Sequence, residues 1–282
     1  MRALVTGGGG QLAHDLSALL GESARTCRRE ELDITDEAAL DRAFAEVQPQ
    51  VVFNCAAFHN LDVCERDADT SWAVNVKAVR ELARRSPRLV HISTNYVFDG
   101  KRQQPYAEDD APSPRSIYAL SKLAGEYMAL AYCEDALVVR SSGLYGLHGS
   151  ASKGGNFVQR MLARAREQGK LGVVADQRLQ PTFTADLARA ILDAEQAGAG
   201  GVLHLTADEP CSWYEFTVAI MEQAGVEVPV EPTATTIAPG GVDRPLNGVL
   251  ARPRADALGI ARLRPWRDAL ADYMRQASLA VA

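Results

Sequence analysis

Ala3-Leu4-Val5-Thr6-Gly7-Gly8-Gly9-Gly10-Gln11-Leu12-Ala13 is the stretch that decides the fold. A short apolar run of strand type ends in four glycines and passes directly into a helical pattern over residues 11–20. Gly7 and Gly10 keep a Gly-x-x-Gly-x-x-Gly spacing, with Ala13 where a third glycine could stand. Glycine lets the chain turn sharply and lets a pyrophosphate approach the backbone, while the free N–H groups of a helix N-terminus face its charge. Ala13 is small enough for helix and strand to pack closely. A plain strand-to-helix turn would also tolerate glycine, but the placement after a first strand favours a dinucleotide site.

Outward from this turn, short apolar runs alternate with helical patterns. Residues 24–27 read as a second strand, and Asp36 can cap a helix that runs to about Val47. Residues 51–55 form the next apolar run, followed by a helical pattern over 69–85, a strand over 88–93, a helix over 116–132 and a strand over 136–140. This order predicts an α/β protein with a Rossmann-type, doubly wound parallel sheet covered by helices on both faces. Beyond residue 142 the rhythm changes. Residues 143–155, Lys153 among them, are rich in Gly and Ser and read as a loop. Helical patterns over 157–167, 184–195, 212–223 and 265–274 suggest a small C-terminal substrate-binding lobe over the edge where open α/β sheets bind ligands. Residues 1–142 are thus mainly the nucleotide-binding region and 143–282 mainly the lobe, interleaved with the sheet and not folding independently.

The end of the second strand should meet the adenosine ribose. An acid there would bond the 2′-hydroxyl, whereas an arginine accommodates a 2′-phosphate. Cys27-Arg28-Arg29 places no acid before Glu30. Arg28 therefore reads as a phosphate contact, with NADP(H) the preferred cofactor and NAD(H) the alternative; a pair of solvated surface arginines is the plainer explanation.

Composition narrows the class. A net charge of -6 and a pI near 5.5 argue against nucleic acid as a partner. The five cysteines (Cys27, Cys55, Cys64, Cys133, Cys211) have no metal-type spacing, and their odd number argues against a fully paired disulfide framework. They read as reduced thiols of a cytoplasmic protein. No signal-peptide pattern opens the chain, and no apolar stretch approaches the ~20 residues of a membrane helix. The histidines His14, His59, His91, His148 and His204 form no ligand set, so no metal site is expected; His91 and His204 lie inside strand-like runs as core residues.

Tyr118-Ala119-Leu120-Ser121-Lys122 carries the chemistry. Positions i and i+4 share one helix face, so a phenol and an ammonium stand together. The cation is expected to favour the phenolate and lower the tyrosine pKa toward the range of proton exchange. Such pairs also arise by chance on solvated helices. Upstream, Thr94 ends the 88–93 strand where a hydroxyl can donate to a developing oxyanion, although a lone threonine there could simply satisfy backbone. Thr94, Tyr118 and Lys122 together are read as catalytic.

These residues, in this order, make the chain resemble the extended short-chain dehydrogenase/reductases, and within them the dTDP-4-dehydrorhamnose reductase family of sugar-nucleotide reductases. The resemblance is carried by Gly7-x-x-Gly10-Gln11-Leu12, by 31–36 (Glu-Leu-Asp-Ile-Thr-Asp), by Asn54-Cys55-Ala56-Ala57, by 91–100 around Thr94, and by 118–126 around Tyr118 and Lys122. Asn156-Phe157-Val158, Asp176-Gln177, Pro181-Thr182, 211–216 and Arg244-Pro245 extend it through the second half. It implies cofactor contacts at Gly7, Gly10, Gln11, Leu12, Asp33, Ile34, Ala56, Ala57, Phe58 and His59, joined by Tyr118 and Lys122. It implies a nucleotide-sugar substrate held near Thr94, Asn95, Tyr118, Gly143, Asn156 and Phe157, and it allows a homodimer. The implied reaction is reduction of a 4-keto group on a nucleotide-linked deoxysugar, with Tyr118 as proton donor and Lys122 holding the nicotinamide ribose.

Several positions depart from that family's usual pattern. Asn95 replaces a common aspartate, Val63 a common lysine and Leu179 a common glycine; Gly143 stands where the rhamnose-forming enzymes usually carry a tryptophan; and the loop over 146–155 is longer. These changes leave the Thr/Tyr/Lys group intact and bear on which sugar is taken. Another relative, the regulatory subunit of methionine adenosyltransferase, implies a non-catalytic NADP-binding role as the alternative. An epimerase or dehydratase is a third; a dehydratase needs further acid and base groups, for which Asn95 is a poor candidate.

Overall fold

The computed structural model describes residues 2–148, 154–237 and 241–280, so Lys153 and most of the Gly/Ser-rich loop lie outside the described residues. Six parallel strands form the main sheet. Its first five are β1 (Ala3–Thr6), β2 (Ala24–Cys27), β3 (Val51–Asn54), β4 (Leu89–Thr94) and β5 (Ala136–Ser141); the sixth is Gly201–His204. Across the sheet they run β2, β1, β3, β4, β5, then Gly201–His204. The winding direction reverses between β1 and β3, which is the crevice where doubly wound sheets bind nucleotides.

Near-continuous apolar burial explains the parallel sheet. Every residue of β1, β3 and β5 is buried, as expected for strands covered on both faces. On one face α1 (Gln11–Leu20) buries Leu12, Ala13 and Leu16 with Val5, Phe53, Leu187 and Ile191. On the other, Leu40 of α2 (Glu37–Val47) joins Leu4, Val52, Val79, Leu82 and Val138. Asp36 starts α2 by accepting from the N–H groups of Ala38 and Ala39.

Two features differ from the pattern read in the sequence. The strand Gly201–His204 returns from the second half of the chain to pair with β5, and the helix Thr184–Gln196 packs against α1 on the sheet and not within the lobe. Its buried Leu187, Ala188, Ile191 and Ala194 form the apolar stripe that requires this. The lobe has its own aromatic core, in which Tyr145, Phe183, Phe216, Trp266 and Tyr273 pack with Val158, Leu162 and Ile220. Its helices Phe157–Gln168 and Trp213–Ala224 each begin with a reciprocal capping box, Asn156 with Gln159 and Ser212 with Glu215. The pattern over 69–85 is broken into Ala68–Trp72, a π-helical turn Ala73–Lys77 and Ala78–Arg85.

Candidate active site

The glycine turn is an anion cradle built without side chains. Gly7 adopts φ +74, and a β-carbon there would lie 2.7 Å from the Ala56 nitrogen, so only glycine lets β1 turn this close to the end of β3. Gly10 donates to the Gly7 carbonyl and Gly8 to that of Cys27. Unlike α2, α1 has no capping side chain and no acid in its first turn, and its first helical bond runs from His14 to Gly10. The N–H groups of Gln11, Leu12 and Ala13 therefore have no partner within the helix, and a β-carbon on Gly9 would meet open space. A pyrophosphate fits this arrangement by charge and by room.

Around the cradle stand the other expected cofactor residues. Arg28 is exposed, its N–H donates to Glu31, and no ion pair ties its guanidinium among the described residues. Arg29 instead leans on Asp33 at 3.4 Å. The Asp33 carboxylate accepts from Thr35, which with Arg29 holds it below the usual carboxylate range, and Ile34 is buried in the core beneath. The segment Ala56–His59 is set by Asn54 and Asn75. Asn54 Oδ1 accepts from the Ala56 N–H, and the Asn75 carboxamide brackets Phe58, accepting from its N–H and donating to its carbonyl at 2.9 Å each. Asn75 sits in the π-helical turn and also donates to Ser121 on the Tyr118 helix. Such turns recur at functional sites because they re-aim a side chain out of the helical ladder.

Ser116 caps the helix Ile117–Tyr132, which carries Tyr118 and Lys122 along the carboxyl end of β4. Thr94 closes β4, accepts from the Tyr96 N–H at 3.2 Å and faces the Tyr118 phenol, whose ionised form it favours. The Tyr96 ring meets that of Tyr118 edge to face at 6.0 Å. Lys122 is 2% exposed, and its Nζ donates to the Ile92 carbonyl at 2.7 Å. The geometry corrects one expectation. Burial pushes the Tyr118 phenol above the usual tyrosine range, opposed by Thr94, and Lys122 does not pull it down; burial instead lowers Lys122 itself to about 8. A phenol with a raised pKa keeps its proton until a stronger base forms beside it, which suits a proton donor.

The structure thus brings Thr94, Tyr118 and Lys122 together on the sheet edge that also holds the glycine turn. The expected substrate residues are used differently. Asn95 donates to the Gly248 carbonyl at 3.0 Å and lies 3.4 Å from the Thr94 hydroxyl, tying β4 to the lobe. Asn156 is fully engaged as the helix cap, donating to Gly146 and to the Tyr273 hydroxyl while accepting from Gln159. The Phe157 ring packs tilted against that of Trp213, centroids 4.2 Å apart. Gly143 has φ +59 and lies against Leu179. The contributions of Asn54, Asn75 and Tyr96 were not read as functional from the sequence; Asn54 and Tyr96 stood only within family motifs. Among the described residues no group of three or more His, Cys, Asp or Glu stands ready for a metal ion, and no helix is long and apolar enough to cross a membrane.

A doubly wound parallel sheet, a glycine turn at an uncapped helix and a Thr/Tyr/Lys group on one edge define the short-chain dehydrogenase/reductase class of dinucleotide-binding oxidoreductases. Within it, the family model described as RmlD substrate binding domain matches residues 1–279, and the chain belongs to that family. It is 38% identical over 286 residues to spore coat polysaccharide biosynthesis protein SpsK of Bacillus subtilis, covering 99% of each chain. It is 36% identical to dTDP-4-keto-6-deoxy-D-glucose reductase of Streptomyces niveus, covering 95% of each. Among solved structures, dTDP-4-dehydrorhamnose reductase of Bacillus anthracis in complex with NADP matches with a TM-score of 0.91 at 30% identity, covering 98% of each chain.

Proposed function

We propose that this protein is an NADPH-dependent reductase of the 4-keto group of a nucleotide-linked deoxysugar. The observation that carries this reading is the placement of Tyr118 and Lys122 over the carboxyl end of β4, which Thr94 closes, on the same edge as the open glycine turn. The names and the NADP complex of the relatives support the substrate and cofactor classes. NADPH supplies a hydride when bound. Gly7 and Gly10 would make the tight turn around its pyrophosphate, Gln11 and Leu12 would offer it free backbone N–H groups, Arg28 would reach its 2′-phosphate, and Ala56–His59 would line its path toward Lys122. Tyr118 gives its proton to the carbonyl oxygen as charge develops there, and Thr94 orients the phenol and donates to the same oxygen. No disulfide joins the five cysteines, which suits a reducing cytoplasm.

The test is NADPH consumption against a panel of nucleotide-linked 4-ketosugars. Turnover of at least one is expected. Intact NADPH binding with no turnover across the panel would instead favour the non-catalytic, regulatory alternative.

A further inference from the structure

Thr6, Asn54 and His91 form one polar row across three adjacent strands. The register pairs Thr6 with Asn54 and Asn54 with His91, and all three are fully buried in an otherwise apolar layer. The row ends at Lys122, whose Nζ lies 3.3 Å from Nε2 of His91. Hydrogen counting fixes the direction of each bond. Asn54 Oδ1 accepts from the Thr6 hydroxyl at 2.7 Å and from the Ala56 N–H at 3.2 Å. The amide nitrogen of Asn54 therefore faces Nδ1 of His91, at 3.0 Å, as donor. Nδ1 is then the accepting nitrogen, and the neutral imidazole carries its proton on Nε2, pointing at Lys122. An ammonium would set N–H against N–H. A neutral amine accepts from Nε2–H with its lone pair while it still donates to the Ile92 carbonyl.

We propose that His91, its tautomer set by Asn54, is a positioning residue that disfavours the ammonium form of Lys122 through the Nε2–H it directs at the amine. The catalytic part of this inference rests on the reductase reading above. The other groups facing Lys122 pull the opposite way. Cys55 comes from the end of β3 and Glu126 from the next helical turn, and both favour the charged amine. Cys55 is itself a neutral thiol, pushed up to about 12 by burial, and Glu126 is already spent on Arg140 of β5 and Ser93 of β4. Tyr118 stands one turn before Lys122, with Tyr96 and Cys64 around its hydroxyl. Burial prevails over the two attractions.

The test uses NMR of the ligand-free protein, so it stands whether or not a substrate is found. The chain has five lysines, and labelling their ε carbons follows Lys122 directly. Nitrogen labelling of the histidine rings reports the tautomer. The expected result is a His91 protonated on Nε2 that stays neutral while its shift moves once, together with the Lys122 titration. His91→Gln places an accepting oxygen toward the amine, and Asn54→Asp transfers the imidazole proton to Nδ1, leaving Nε2 bare. Each should raise the Lys122 titration by about one to two pH units, the worth of one hydrogen bond to a charged group, and move the matching inflection of the kcat pH profile in step. A His91 protonated on Nδ1 overturns the proposal by itself, even if neither variant folds. So does a Lys122 titration unmoved in whichever variant folds.

Discussion

A δ-methyl carbon of Leu179 stands 2.8 Å from the point a β-carbon on Gly143 would occupy. The Cα of Pro181 closes the same space at 3.1 Å, and the backbone of Gly143 is left-handed at φ +59. This corner of the lobe is therefore filled from the Leu179 side, where a large side chain on residue 143 has no room. Gly143→Ala should lose about 1–3 kcal/mol of stability through overpacking and positive-φ strain, read by denaturant unfolding. The same corner should change sugar choice. dTDP-4-dehydrorhamnose is expected not to have the highest kcat/KM in a panel of nucleotide-linked 4-ketosugars, and finding it highest would remove the altered-pocket idea.

Lys122 makes stability depend on pH in a direction that can be worked out. Its folded pKa is lowered from 10.5 to about 8 by burial. Below pH 8 the lysine is charged in both states, and the folded state bears the whole cost. Between pH 8 and 10.5 the unfolded chain binds more protons, so the wild type gains stability as pH rises. Lys122→Met, at a site 2% exposed, should be more stable than wild type at pH 7. The gain is up to roughly 3 kcal/mol at 1.36 kcal/mol per unit, less about 1 kcal/mol for the lost bond to Ile92. Urea melts across pH 7 to 10 should show the difference shrinking, and a gap that widens with pH contradicts the assignment.

Glu126 and Arg140 form a buried pair at 2.7 Å beneath the Tyr118 helix, with Ser93 donating to the same carboxylate. Glu126→Ala leaves the guanidinium buried without its counter-ion and should cost about 3–5 kcal/mol. Restoring near wild-type stability by Glu126→Ala alone, in a thermal or urea melt, would show the pair to be idle.

Arg28 is proposed to set cofactor choice through the 2′-phosphate. Wild type should bind NADPH more tightly than NADH, and Arg28→Ala should close the gap by weakening NADPH about 10- to 150-fold, the worth of a charge-assisted contact. Fluorescence titration of both cofactors checks this, and equal affinities in the wild type exclude the role.

Much of the fold was legible because its signals are local. The glycine turn, the Asp36 cap and the apolar strands of residues 3–6 and 51–54 each announce themselves within a few residues. His204 was read inside a strand-like run, but the place of Gly201–His204 in the main sheet was not, because only pairing with β5 puts these four residues there. The Tyr118–Lys122 spacing showed who shares the helix face but not how deeply each is buried, so the direction of the tyrosine shift was misread. His91 looked like a core residue, and it is one. That it lies beside Asn54 depends on the register between β3 and β4, and that it lies under Lys122 on how the helix Ile117–Tyr132 packs over β4; no spacing along the chain reveals either.

The central claim is hydride delivery to a sugar carbonyl with Tyr118 as the proton donor. It is tested most directly with NADPH deuterated at its transferable position, wild type beside Tyr118→Phe, on a nucleotide-linked 4-ketosugar. The account predicts one deuterium at the sugar's C4 in wild type, and in Tyr118→Phe turnover reduced by roughly 10²–10⁴-fold with NADPH affinity retained. Deuterium absent from C4, or Tyr118→Phe turning over at the wild-type rate, would contradict it.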